Sequence, residues 1–167
     1  MSLITGVFPG LQEQPPLHAG ERFLIWDHLL KAKGCQAKYQ LLGNHADDAE
    51  LADYLADIAE NMVKKEVSSL EAFLLENGVE PPPASPANPK AARSDIPAGA
   101  RFSDQEIAMC VYHDLAGALA QTSLLISVAV REDVGKIFLA HHQEIAKYGG
   151  TLLKLMKKKG WLVEPPR

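Results

Sequence analysis

Proline is absent from residues 17–80 and from 98–164, and that absence does most to parse the sequence. An interior proline costs a helix about 3 kcal/mol, so two proline-free stretches of this length permit long helices. All eleven prolines fall instead at 9–16, 81–97 and 165–166. Period-2 alternation of useful length is also missing, and no sheet is expected. Cysteine is limited to Cys35 and Cys110, with no metal-like spacing. They read as small buried hydrophobes in a reducing cytosol, with a disulfide between two helical hairpins as the other reading. There is no basic excess: 17 Lys and Arg against 21 Asp and Glu leave a net charge of −4. Such a balance offers nothing to nucleic acid or an anionic membrane. The longest uncharged run, Leu115 to Val130, stops short of the roughly 20 apolar residues of a spanning helix. It also carries Gln121, Thr122, Ser123 and Ser127, so no membrane span is expected. The N-terminus has no basic n-region followed by an apolar run, and a cytoplasmic location is expected. No glycine-rich phosphate loop, nucleophile elbow or Cys-x-x-Cys pair is present, and a non-catalytic role is expected.

What the sequence has instead is helical periodicity. Its 167 residues, 47% apolar and 23% charged, suit one domain with an adequate core. Gly43-Asn44-His45 reads as a helix stop, and Asp47 and Asp48 cap the next helix. A first helix is therefore expected over 18–44, with Phe23, Trp26, Leu30, Ala37 and Leu41 along one buried stripe. A second is expected over 48–77, where Leu51, Leu55, Ile58, Met62, Leu70 and Phe73 recur at three- and four-residue steps before Asn77-Gly78. Ser103-Asp104-Gln105-Glu106 is a capping box that opens a third helix over 104–130. Arg131-Glu132-Asp133 breaks it. A fourth helix runs over 133–159 to Gly160, with Lys157, Lys158 and Lys159 at the end the helix dipole favours.

Between the hairpins, residues 78–103 hold six prolines. About 25 extended residues reach roughly 75 Å, whereas a helix of about 28 residues is about 42 Å long. The segment can therefore run the length of the bundle and start the third helix at the opposite end. The expected fold is all-α: a ferritin-like four-helix bundle of two antiparallel hairpins joined by a long Pro-rich crossover. Residues 1–17 and 161–167 are left as tails around a single domain, 18–160, with Trp161 folding back as an apolar cap.

Several local motifs line up with a known family. They are Leu24-Ile25-Trp26, Glu76-Asn77-Gly78-Val79-Glu80-Pro81-Pro82, Phe102-Ser103-Asp104, Ala129-Val130-Arg131-Glu132-Asp133 and Lys159-Gly160-Trp161-Leu162-Val163-Glu164-Pro165-Pro166. Over residues 18–166 the chain resembles a ferritin-like family of spore-forming bacteria whose members often carry the label spore-coat-like. The resemblance implies a four-helix bundle and a link to sporulation, and it implies no activity.

Placing each residue at about 100° per step asks which polar groups turn inward. Glu66 falls in the apolar stripe of the second helix, and Asp27 lies beside that of the first. Asp114 and Gln121 lie towards the face made by Ile107, Val111, Ala118 and Leu125. His141 falls among Val134, Ile137, Tyr148, Leu152 and Leu155, with Glu144 at the edge. Given the crossover, Asp27, Glu66, Gln121 and His141 share one depth, the level at which ferritin-like proteins hold two metal ions. Iron, manganese or zinc is the cofactor such a layer would take. Against this, the Glu-x-x-His signature is missing and only the reversed His141-x-x-Glu144 occurs. The other reading is a hydrogen-bonded polar layer that fixes helix register. His28 is expected on the flank, and His113 and His142 away from the core.

The third helix is apolar or small nearly all round, and Ala116, Gly117, Ala118 and Ala120 allow another helix to approach closely. A non-catalytic bundle acting through self-association, as a homodimer, or through partner contact is therefore the expected function, with a metal-binding protein or weak metalloenzyme as the alternative.

Overall fold

The computed structural model of the chain describes residues 15–164 and 166. The expected tails lie partly outside the described residues, at 1–14, 165 and 167. Four helices carry the architecture, and no strand occurs among the described residues. Helix α1 spans Ala19–His45. Helix α2 is continuous but has three parts: α-helical Ala49–Asp57, π-helical Ile58–Val63 and α-helical Lys64–Glu76. Helix α3 spans Asp104–Val128 and α4 spans Glu132–Lys159.

Local chemistry sets the ends. His18 caps α1: its Nδ1 accepts from the amides of Gly20 and Glu21, and Glu21 accepts from His18 N–H in return. Asp48 caps α2 through Leu51 N–H at 3.1 Å. Ser103 and Glu106 form the reciprocal box at the start of α3. Gly160 ends α4 at φ 73°, a left-handed conformation that glycine adopts without steric cost.

Three contacts fix the direction of each helix. Asp104, at the start of α3, accepts from Asp47 N–H at 2.9 Å. The Val130 and Arg131 amides, past the end of α3, donate to Glu21 at the start of α1, at 2.8 and 3.0 Å. Lys159, at the end of α4, lies 2.5 Å from Asp48. Helix α3 is thus antiparallel to α1 and parallel to α2, the arrangement a full-length crossover produces. The crossover lies along α1. Trp26 Nε1 donates to Glu80 O at 3.1 Å, Lys33 Nζ to Pro82 O, Asn88 Nδ2 to Ala37 O at 3.1 Å and Asn44 Nδ2 to Pro89 O at 3.0 Å. Polyproline backbone has no internal hydrogen bonds, so three α1 side chains, together with Asn88 of the crossover reaching back to Ala37, supply the partners that hold it in place.

Arg131 closes the lower end. Its guanidinium donates to Asp133 at 2.6 and 3.0 Å, to Asn77 Oδ1 at 2.6 Å and to Pro15 O at 3.2 Å, and it stands 5.6 Å over the Phe73 ring. One side chain therefore joins the entry to α1, the end of α2 and the start of α4.

The expected stripe of α2 is buried throughout, from Leu51 to Phe73, as are Ile107, Val111 and Leu125 of α3. Helix α1 differs. Phe23, Leu30 and Leu41 face outward at 65%, 39% and 42% exposure, and the core takes Ile25, Leu29, Ala32 and Tyr39 instead. The physical reason is that α1 is apolar on two opposite faces, so periodicity alone leaves its rotation open.

Candidate functional site

The polar layer is a hydrogen-bonded chain across the middle of the bundle. Asp27 Oδ2 accepts from Lys31 Nζ at 2.6 Å and from Gln121 Nε2 at 2.7 Å. Gln121 Oε1 lies 3.2 Å from His28 Nδ1, and His28 Nε2 lies 2.9 Å from Glu66 Oε1. His141 Nδ1 approaches the same Glu66 oxygen at 3.6 Å, beyond hydrogen-bond reach. His28 and Glu66 are 3% and 5% exposed. The Phe138 ring meets the rings of His28 and His141 at 5.4 and 5.9 Å.

The chain fixes its own protons. Asp27 accepts only, so Gln121 turns its amide nitrogen to Asp27 and its oxygen to His28. His28 Nδ1 must then donate, which leaves one proton between His28 Nε2 and Glu66. Whether that proton sits on nitrogen or oxygen, the pair keeps its hydrogen bond, and burial without it would be costly to either group. His141 is different. Burial foremost holds its pKa below 6.5, His28 adds to the effect and Glu66 opposes it. Its Nε2 is buried without a hydrogen-bond partner.

Asp27, Glu66, Gln121 and His141 thus share one layer. Asp114 stands apart, held by Lys38 at 2.6 Å. Glu144 is 53% exposed and lies 3.6 Å from Lys147. Among the described residues, no three His, Cys, Asp or Glu side chains are arranged to hold a metal ion. The donor set does not fit a two-metal centre: Asp27 and Asp114 are neutralised by lysines, and His28 offers no free nitrogen. Sequence reasoning missed His28 because the outward stripe set the phase of α1; phased on Ile25, Leu29 and Tyr39, the helix turns His28 inward. It also missed His142, whose Nδ1 lies 2.8 Å from Thr122 Oγ1.

Beside the layer, a cavity of about 530 Å³ opens between α1 and α3 and reaches Met62, Val63 and Ile145 on the other two helices. Cys35, with no disulfide, lines it. Burial foremost, and Asp114 next, push that thiol's pKa up, so it stays protonated.

Fold and layer together define a ferritin-like four-helix bundle without the metal-ligand pattern of its type. A two-domain protein from Anabaena variabilis with a ferritin-like domain has a TM-score of 0.68 at 14% identity, covering 92% of this chain and 41% of that one. At that identity the likeness shows the fold alone. The chain belongs to the family described as a protein of unknown function, DUF3231, whose model matches residues 6–167. The structure of a "putative spore coat protein" from Bacillus halodurans C-125 has a TM-score of 0.88 at 41% identity, covering 91% of this chain and 95% of that one. The Bacillus subtilis protein YvdQ, described as uncharacterized, is 36% identical over 161 residues, 96% of this chain and 94% of its own.

Proposed function

We propose that the protein is a non-catalytic bundle that acts by self-association, through an outward apolar face on α1 and α3. The carrying observation is the exposure of Phe23, Leu30 and Leu41 on α1, with Leu124 and Val128 on α3 at 49% and 38%. An apolar stripe recurring along a helix and left in water is the usual mark of an interaction surface. A second copy is the simplest occupant, because a twofold axis passing beside the exposed face of α1 sets the stripe against itself. The spore-coat name of the B. halodurans relative suits an assembling protein, and a spore-associated role inside the sporulating cell is part of the same proposal.

Sedimentation equilibrium tests it. The wild-type chain is expected to dimerise, and Phe23→Glu with Leu30→Glu to yield a folded monomer. A wild-type monomer at every soluble concentration would sink the reading. The alternative, a metal-binding layer, is supported by His141, which lies beside Glu66 and has a buried Nε2 without a hydrogen-bond partner. It predicts iron, manganese or zinc in untagged protein, and a thermal shift with added metal that Glu66→Ala removes.

A further inference from the structure

Gly34 and Gly117 sit in the middle of α1 and α3, both exposed, and a Cβ built at either meets nothing within 4 Å. Glycine inside a helix costs stability relative to alanine, and close packing is the ordinary reason to keep it. Open space removes that reason here. Both glycines line the cavity of about 530 Å³, within the range of small-molecule sites. Ala118 lines it beside them, and Met62, Val63, Leu115 and Ile145 line its apolar part.

The charges on the lining select the ligand class. Lys31 is paired with Asp27, Lys38 with Asp114 and His28 with Glu66. A charged ligand would have to break one of these pairs, and an unpartnered charge in a part-buried site is costly. Glu66 lines the cavity, and its Oε1 takes both histidine contacts. A carboxyl group has more acceptor sites than these contacts fill, and a donor on the ligand would meet one of them. The Cys35 thiol contributes apolar wall rather than a nucleophile.

The geometry points to a binding site for an uncharged, mainly apolar small molecule carrying one hydrogen-bond donor, entering over Gly34 and Gly117 and resting on the His28–Glu66 pair. This site goes beyond the self-association reading and competes with it for the same face, since Gly34 lies one turn from Leu30 and a second copy seated on α1 would cover the mouth. Binding is therefore measured at concentrations where the chain is monomeric.

N-phenyl-1-naphthylamine, a neutral apolar fluorophore with a single N–H, is the probe. Wild-type protein gives saturable, one-site fluorescence enhancement. The sulfonated analogue 8-anilinonaphthalene-1-sulfonate binds about tenfold more weakly or worse. Gly117→Leu fills the mouth and weakens the neutral probe by at least about tenfold, and Ala118→Leu does the same from inside. Circular dichroism checks that each variant stays folded, and Gly34→Leu at the other lip stands in for one that does not. Phe23→Glu with Leu124→Glu, which removes exposed apolar surface, leaves binding unchanged. Absence of saturable binding to wild type overturns the site. So do equal affinity in the folded filled variants, loss of binding in the surface variant, or tighter binding of the sulfonate.

Discussion

Glu66 Oε1 lies 2.9 Å from His28 Nε2 at the centre of the bundle, and both side chains are almost completely buried. The pair joins α2 to α1, and through Gln121 it reaches α3. A buried pair of this kind contributes little over a well-packed apolar substitute, but removing one member strands the other. Glu66→Leu alone is expected to cost about 3–5 kcal/mol in urea unfolding. Glu66→Leu combined with His28→Leu is expected to cost less than Glu66→Leu alone. Simple additivity of the two substitutions would show that the residues are not energetically coupled.

Acid stability should report Glu21. Burial acts to raise its pKa, but hydrogen bonds from the Arg131, Val130 and His18 amides outweigh it, and the folded value lies below the ordinary 4.5. The unfolded chain therefore binds this proton at higher pH than the folded one. The contribution is fully present above the unfolded value and is lost as pH falls through the folded value. Between about pH 5 and pH 3 the melting temperature of wild type should fall more steeply than that of Glu21→Gln, which keeps an acceptor but has no charge to lose. Parallel curves for the two proteins would mean that Glu21 is not a source of the acid sensitivity.

A second, higher window belongs to His141. Its folded pKa is held below 6.5, so the unfolded chain takes up the proton first as pH falls. Stability contributed by the neutral ring is present above the unfolded value and declines below it. His141→Phe should flatten the stability curve between about pH 6.5 and pH 5, leaving the Glu21 window in place. Melting curves in steps across both windows separate the two. A wild-type curve already flat in the upper window contradicts the depressed pKa.

How much of this was legible in the sequence follows from what each feature depends on. The capping box at Ser103 and Glu106 and the stripe from Leu51 to Phe73 rest on neighbours a few residues apart, and they read directly. The crossover read from its prolines. The rotation of α1 did not, because Phe23, Leu30 and Leu41 compete with Ile25, Leu29 and Tyr39 and only packing against other helices decides between them. That one ambiguity hid His28. A depth count placed Asp27, Glu66, Gln121 and His141 at one level, since it needs only helix rise and direction. It could not foresee that Lys38 and Lys31 hold Asp114 and Asp27, because a long flexible side chain has no fixed address in a periodicity. The π-helical turn at Ile58–Val63 left no composition signal of its own; it lets Met62 and Val63 both reach the core.

Arg131 should be the most sensitive single position outside the core. Truncation to Met takes the guanidinium from Asp133, Asn77 Oδ1 and the Pro15 carbonyl in one step, leaving Asp133 only the Val134 amide. A loss of about 3 kcal/mol is expected, within the range for breaking a buried charge pair. Arg131→Lys should recover less than half of it, because an ammonium cannot present the fork that holds Asp133 through Nε and Nη2 while Nη1 reaches Asn77. Chemical unfolding of the three proteins decides the matter. A loss below about 1 kcal/mol for Arg131→Met would make this an ordinary surface arginine rather than the joint between three helix ends.

Glycine substitution separates positions that need the residue from positions that only tolerate it. Gly34→Ala and Gly117→Ala place a methyl group in open space within a helix, and each should raise stability by about 0.5–1 kcal/mol. Gly160 also has room for a methyl group, but its φ of 73° is the left-handed region, so Gly160→Ala should lower stability by about 1 kcal/mol. The opposite signs arise from one residue type in one fold, and space cannot be the cause, since none of the three positions is crowded. Thermal unfolding of the three single variants would show two upward shifts and one downward. A loss of stability in both mid-helix variants would mean that another chain or the opposing helix approaches there in solution, and the open mouth between α1 and α3 would then be closed.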